Sequence, residues 1–160
     1  MLIDKIKDVI KKTEFIHVCT CDHSGIPNAA PKFFLKLENK VIYLVDYTLG
    51  KTYENLQINK RVSLSFMNFE TLMAYRVNGM AEVIGAGSEY ESIVNELHKK
   101  EVELSVTRIL EGLREEKKHT SFEIALPQKI IILKVPIEEI TEFGIEGELQ
   151  KENFSPHSSY

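Results

Sequence analysis

The sequence predicts a mainly β protein, a small antiparallel barrel with flanking helices. Three observations carry that prediction. Five or six short apolar runs are joined by local turns. The first of these runs follow one another without the crossover helix that successive parallel strands need. Helical periodicity is confined to the N-terminus, one short bridge and a long tract after Gly87. Short strands in that order close, or partly close, into a barrel.

Taken in order, Leu2, Ile3, Ile6, Val9 and Ile10 recur at helical spacing among lysines and aspartates, which predicts an amphipathic helix ending near Lys12. Phe15 to Cys21 is β-branched and apolar and stops at the turn formers Asp22-His23-Ser24-Gly25-Ile26-Pro27. Ala29 to Leu37 and Val41 to Val45 read as strands joined across Glu38-Asn39-Lys40, a loop short enough for a hairpin. Gly50 to Ile58 predicts a short helix with Tyr53, Leu56 and Gln57 on one side. Arg61 to Met67 and Tyr75 to Ile84 are further strands about the loop Asn68 to Met73. In Ser88 to His119 the stripe Tyr90, Ile93, Val94, Leu97 is out of register with Val102, Val106, Ile109, Leu110, Leu113, which predicts two helices with a break near His98 to Glu103. The charged run Arg114 to Lys118 follows, and Ile130 to Val135 is a strand too apolar to face water on either side. The expected organisation is one domain over residues 1–145 with a helical insertion at about 88–119, then a polar tail over 146–160.

Composition narrows the function. In 160 residues, 43% hydrophobic and 28% charged content describes a globular chain with a real core. No apolar run approaches the roughly 20 residues that cross a bilayer, and Asp4, Lys5, Lys7 and Asp8 interrupt the N-terminus, so no signal-peptide core is visible. The reading is cytoplasmic, with no membrane partner. A net charge of −4 offers no general attraction to nucleic acid, and any anionic ligand needs a local cation. Cys19 and Cys21 are too close on one strand to pair comfortably, which suits reduced thiols.

The most informative stretch is Val45-Asp46-Tyr47-Thr48-Leu49-Gly50-Lys51-Thr52. A glycine at a helix start, free backbone N–H groups, the hydroxyls of Thr48 and Thr52 and the Lys51 cation are the parts of a phosphate cradle. The same parts also describe an ordinary surface helix with a solvated lysine. Gly-Lys-Thr is not a nucleotide-triphosphate loop, because the glycine required five residues before Gly50 is Val45.

From Phe15 to Ile84 the chain resembles the pyridoxamine phosphate oxidase-like FMN-binding split barrels. The features that carry the likeness are Asp22-x-x-Gly25-x-Pro27, the hairpin Ala29 to Val45, the Gly-Lys-Thr helix ending in Asn55-Leu56-x-x-Asn59, Arg61 to Phe66, and Val77-x-Gly79-x-Ala81. The resemblance implies FMN at the interface of a homodimer, with a small-molecule redox substrate or electron partner. It places the phosphate on Lys51 and Thr52 with Thr48 nearby. It places the flavin ring along Asn28, Ala29, Ala30, Pro31, Lys32 and Phe33 and along Val45, Asp46 and Tyr47, held largely by backbone groups. It sets Lys32 near ring or phosphate, a position that taken alone equally suits a solvated strand lysine. Tyr75, Arg76 and the loop Asn68 to Met73 are its candidates to reach the partner's site. The vitamin-oxidising members carry two adjacent basic residues where this chain has Lys51-Thr52, so the expected activity is an oxidoreductase or electron-transfer flavoprotein rather than vitamin oxidation. Deazaflavin- or haem-binding members and a non-catalytic binding or stress module are the alternatives. The apolarity of Ile130 to Val135 also suggests a dimer, since one face of that strand would otherwise be wet.

His17, Cys19, Cys21 and His23 alternate, but alternate strand residues lie about 6.6 Å apart, so one zinc reaches at most two neighbours in the row. The expectation is no metal. His98, His119 and His157 lie in charged or tail segments and read as solvated, and no nucleophilic triad is visible.

Overall fold

The structure, a computed structural model, describes residues 1–114 and 130–154, without the side chains of 108–114. Its elements are α1 (Leu2–Lys11), β1 (Phe15–Cys21), β2 (Pro27–Glu38), β3 (Val41–Asp46), α2 (Lys51–Ile58), β4 (Arg61–Met67), β5 (Ala74–Met80), β6 (Glu82–Ile84), α3 (Ser88–Arg114), β7 (Ile131–Phe143) and β8 (Leu149–Asn153). Strands β3, β2, β1, β4, β5 and β7 pair in that order, all antiparallel, and β3 pairs with β7 to close a six-stranded barrel. The fold is a split barrel, as the residue pattern and the resemblance both predict.

Strand β7 closes the barrel because it is twice the expected length. Its first half pairs with β3, from Asp46↔Ile131 to Val41↔Pro136, and its second half with β5, from Gly79↔Ile137 to Ala74↔Phe143. Pro136, which donates no backbone hydrogen bond, sits at the changeover, where β5 passes so close that a side-chain carbon on Gly79 would collide with the Pro136 carbonyl. The expected single strand Tyr75 to Ile84 is interrupted at Ala81, whose N–H donates to the Lys60 carbonyl at 2.7 Å, and it resumes as β6.

The helices close or cover the barrel. Leu2, Ile3, Ile6, Val9 and Ile10 of α1 are all buried and join a core with Ile16, Val18, Leu64, Phe66, Val77 and Ile140. Each such side chain contributes about 1.5–3 kcal/mol of burial, which is why this short helix stays docked. Glu152 of β8 accepts from the Leu2 and Ile3 amides, and Lys5 Nζ donates to Glu142 at 2.8 Å. Helix α3 lies outside, with Ile93 and Leu97 on Phe33, Leu35, Val45 and Ile132. It dries the second face of β7 within the protomer, so the wet-face argument for a dimer does not hold.

Three local expectations are corrected. Helix α3 runs unbroken through His98 to Glu103, and Val102 and Val106 of the second stripe are exposed. A β-bulge between Phe34 and Lys36 meets Lys100 Nζ, which donates to the Phe34 and Leu35 carbonyls at 2.6 and 2.8 Å and so ties down the stretch where the break was expected. Within the expected polar tail, Leu149–Asn153 pairs with β7 as β8. On α2 the buried side is Thr52, Asn55 and Leu56, with Tyr53 partly covered and Gln57 exposed. The charged run after Arg114, His119 and the tail end with His157 lie outside the described residues.

Candidate functional site

At the α2 end the barrel interior turns polar. Inward positions on β1 run Ile16, Val18, Thr20, and their partners on β2 are Lys32, Ala30 and Asn28. Asn28 Nδ2 donates to Thr20 Oγ1 at 3.3 Å and to Thr52 Oγ1 at 3.1 Å, and Asn55 Nδ2 donates to Thr20 Oγ1 at 3.0 Å. Beside this network Lys32 Nζ donates to Asp46 Oδ1 at 2.7 Å and to Thr48 Oγ1 at 3.2 Å. Thr48 returns its amide and hydroxyl to Asp46 Oδ1 at 3.0 and 2.9 Å. The Lys32 and Asp46 side chains are only 3% and 0% exposed. Burial pushes the Asp46 carboxyl up, but the hydrogen bonds from Lys32 and Thr48 and the Lys32 charge outweigh it and hold the group below its ordinary 3.8. Among the described residues Asp46 Oδ2 has no hydrogen-bond partner.

The expected site residues therefore fall on two faces. Asn28, Ala30, Lys32 and Asp46 point into the barrel mouth, whereas Ala29, Pro31, Phe33, Val45 and Tyr47 point outward. Of the outward set Ala29 and Pro31 are open, and α3 covers Phe33 and Val45. Tyr47 donates its hydroxyl to Glu101 at 2.7 Å, and burial followed by that carboxylate raises its pKa. Lys32 is neither a solvated lysine nor a free cation, because Asp46 neutralises it. Tyr75 points inward and is buried, while Arg76 faces outward towards Glu139 and Thr141 at 3.4 and 3.3 Å.

Two features leave backbone groups open at the mouth. Residues Asn28 to Lys32 pair with β1 alone, because the pairing of β2 with β3 begins only at Phe33↔Val45, so one backbone edge of this stretch has no strand partner. The adjacent start of α2 has Gly50 as its N-cap with no side-chain cap, and a side-chain carbon at Gly50 would meet only Thr48 Oγ1 at 3.8 Å. Lys51 is half exposed there and lies 3.4 Å from Glu54. Uncapped N–H groups, a nearby ammonium and open space fit a phosphate. The Thr52 hydroxyl accepts from Asn28 and keeps its own proton, and the Thr52 amide is among the uncapped N–H groups of the first turn.

Sequence reasoning missed Thr20 and Asn55 as members of the mouth, although Thr20 breaks the inward aliphatic row Ile16, Val18 and in that way signals itself. Lys100 and Glu101 carried no local signal, because what they bind lies 54 to 66 residues away. His17, Cys19 and Cys21 share the outward face of β1, with Asn59 Nδ2 donating to Cys21 Sγ at 3.2 Å. Both cysteines are free, and no group of three metal-ligating side chains occurs among the described residues.

A closed antiparallel barrel of six strands with helices at its ends and side defines the class, the split barrel. The family model described as pyridoxamine 5'-phosphate oxidase matches residues 2–128, and the chain belongs to that family. Solved structures repeat the fold at low identity. A Clostridium acetobutylicum protein related to general stress protein 26 aligns at 16% identity and TM-score 0.67, over 96% of this chain and 94% of its own. HupZ of Group A Streptococcus aligns at 22% identity and TM-score 0.63, over 97% and 100%. A Nostoc punctiforme pyridoxamine 5'-phosphate oxidase-related, FMN-binding protein aligns at 12% identity and TM-score 0.56, over 97% and 95%. No curated protein matches the chain.

Proposed function

We propose that this protein is an FMN-dependent oxidoreductase or electron-transfer flavoprotein acting as a cytoplasmic homodimer. The observation that carries the reading is the unpaired backbone edge of Asn28 to Lys32 beside the uncapped start of α2. Family membership and the Nostoc FMN-binding neighbour support it. In this reading the N–H groups at Lys51 and Thr52 and the Lys51 ammonium hold the phosphate, with Thr48 beside them. The backbone of Asn28 to Lys32 binds the ring edge over the open side chains of Ala29 and Pro31, and Phe33, Val45 and Tyr47 back it from beneath α3. When bound, FMN supplies the redox chemistry. The chain's own part is to orient it and to keep the mouth rigid through the Lys32–Asp46–Thr48 cluster.

The homodimer is proposed through the outward face of β1, β4 and β5. Cys19, Ser63 and Asn78 line it in one row and His17, Ser65 and Arg76 in the next. Arg76 and the loop 68–73 are the groups proposed to reach the partner's site. A small-molecule redox substrate or electron partner completes the reading. No described helix is long and apolar enough to cross a membrane.

Lys51→Ala is the test. A hydrogen bond to a charged group contributes about 1.5–3 kcal/mol, and the half-exposed Lys51 belongs at the low end, so FMN affinity should fall about tenfold. Riboflavin, which lacks the phosphate, should bind as before. Fluorescence titration of both ligands decides it, and equal losses would place the phosphate elsewhere.

A further inference from the structure

Strands β2 and β3 separate at Phe33↔Val45, and the ladder is weak on both sides of that fork. Beyond it, Asn28 to Lys32 pair with β1 alone. Just inside it, the bulge leaves Leu35 without a partner on β3, because the register passes from Phe34↔Leu44 to Lys36↔Tyr43. A junction unpaired on one side and bulged on the other has few backbone bonds of its own to set how far it opens.

Helix α3 supplies bonds there from two consecutive residues, one to each arm. Lys100 Nζ donates to the Phe34 and Leu35 carbonyls of β2 at 2.6 and 2.8 Å. Glu101 Oε1 accepts from the hydroxyl of Tyr47, two residues past Val45 on the β3 arm, at 2.7 Å. The Lys100 ammonium also lies over the Phe33 and Phe34 rings, 5.3 and 4.6 Å from their centroids, and the Phe33 and Tyr47 rings meet across the fork at 6.4 Å. Burial lowers the Lys100 pKa, against the opposing pull of Glu14, Glu96 and Glu103, so a cation partly withdrawn from water makes these bonds, which strengthens them. Two other ties of α3, Glu96 to Lys36 and Glu89 to Lys134 at 2.7 and 2.8 Å, join side chain to side chain and leave the backbone at the fork untouched. We infer that Lys100 and Glu101 clamp the fork between β2 and β3 and so position the β2 edge and Tyr47 for the flavin ring. Both are positioning residues, acting through the β2 backbone and the Tyr47 side chain. The ring as occupant rests on the flavin reading, whereas the clamp itself does not.

The test titrates FMN and riboflavin and records the visible spectrum of the bound flavin in four variants. Lys100→Met keeps the aliphatic stem and removes the donors, and Glu101→Ala removes the acceptor. Each should weaken FMN and riboflavin alike by about tenfold and shift the absorption band of the bound flavin. Lys100→Arg, which keeps donors for both carbonyls, should recover most of the loss. Lys134→Met cuts a tie of α3 away from the fork and should change neither affinity nor spectrum. Unchanged affinity in Lys100→Met, a loss confined to FMN, or an equal loss in Lys134→Met overturns the clamp. Amide hydrogen exchange in the flavin-free proteins separates the clamp from the flavin reading. The Phe34 amide, which donates to the Glu14 carbonyl at 2.8 Å, should exchange about tenfold faster in Lys100→Met and at the wild-type rate in Lys134→Met. That result in a protein whose wild type takes up no FMN overturns the flavin reading and leaves the clamp standing. Equal exchange in the two variants overturns the clamp whether or not FMN binds.

Discussion

The two ends of the barrel are closed by helices of opposite character. At one end α1 inserts five aliphatic side chains into the main core, and beside them Lys5 donates to the buried Glu142 and the Leu2 amide to Glu152. At the other end α2 contributes a single buried aliphatic, Leu56, and the interior beneath it is Thr20, Asn28, Lys32, Asp46, Thr52 and Asn55. Aliphatic burial is non-directional and tolerates small shifts, whereas a buried polar cluster holds only when every donor meets its acceptor. The apolar end therefore stabilises the molecule and the polar end fixes a geometry. The proposed flavin site falls at the end where geometry is fixed.

The contrast breaks most sharply at the buried ion pair. Lys32→Met leaves the Asp46 carboxylate uncompensated in the interior and should cost about 3–5 kcal/mol in urea denaturation. Adding Asp46→Leu should recover most of that loss, because two apolar groups replace a fully desolvated pair. At the opposite end Ile6→Ala empties a fully buried aliphatic site and should cost about 2–4 kcal/mol, while FMN affinity per folded molecule stays unchanged. Asn55→Ala sharpens the comparison on a smaller scale. It strips a donor from Thr20 and should cost about 1–3 kcal/mol, and it should also weaken FMN by loosening α2, an effect Ile6→Ala lacks.

The smallest effect is on pH dependence. The Asp46 carboxyl lies below its ordinary 3.8, so it contributes stability that is fully present above that value and is lost as pH falls through the lower folded value. Wild type should therefore lose stability more steeply below about pH 4 than the Lys32→Met/Asp46→Leu protein. Ile6→Ala should keep the wild-type slope. Parallel curves for all three would remove Asp46 from the account of acid sensitivity.

Much of the architecture is legible in the residues themselves. The 3.6-residue recurrence of Leu2, Ile3, Ile6, Val9 and Ile10 determines α1, because a helix with one apolar face has only one way to bury it. The alternation along Phe15 to Cys21 and Arg61 to Met67 determines two strands, and Glu38-Asn39-Lys40 determines the hairpin between β2 and β3, whose turn places Asn39 and Lys40 at positive φ. The start of α2 with Gly50 and Lys51 is legible for the same reason, since caps and turns are local events. Tertiary structure decided the rest. Leu149–Asn153 carries no strand pattern and becomes β8 only because the edge of β7 is available. The helix α3 stays whole because a bulge in β2 exposes two carbonyls that Lys100 reaches. Lys32 reads equally as a ligand-facing cation or a solvated lysine until barrel closure turns it inward onto Asp46 and hides both from water. Periodicity records what each segment does with its near neighbours, but the partner of a buried charge is set by which distant strands the closed barrel brings together.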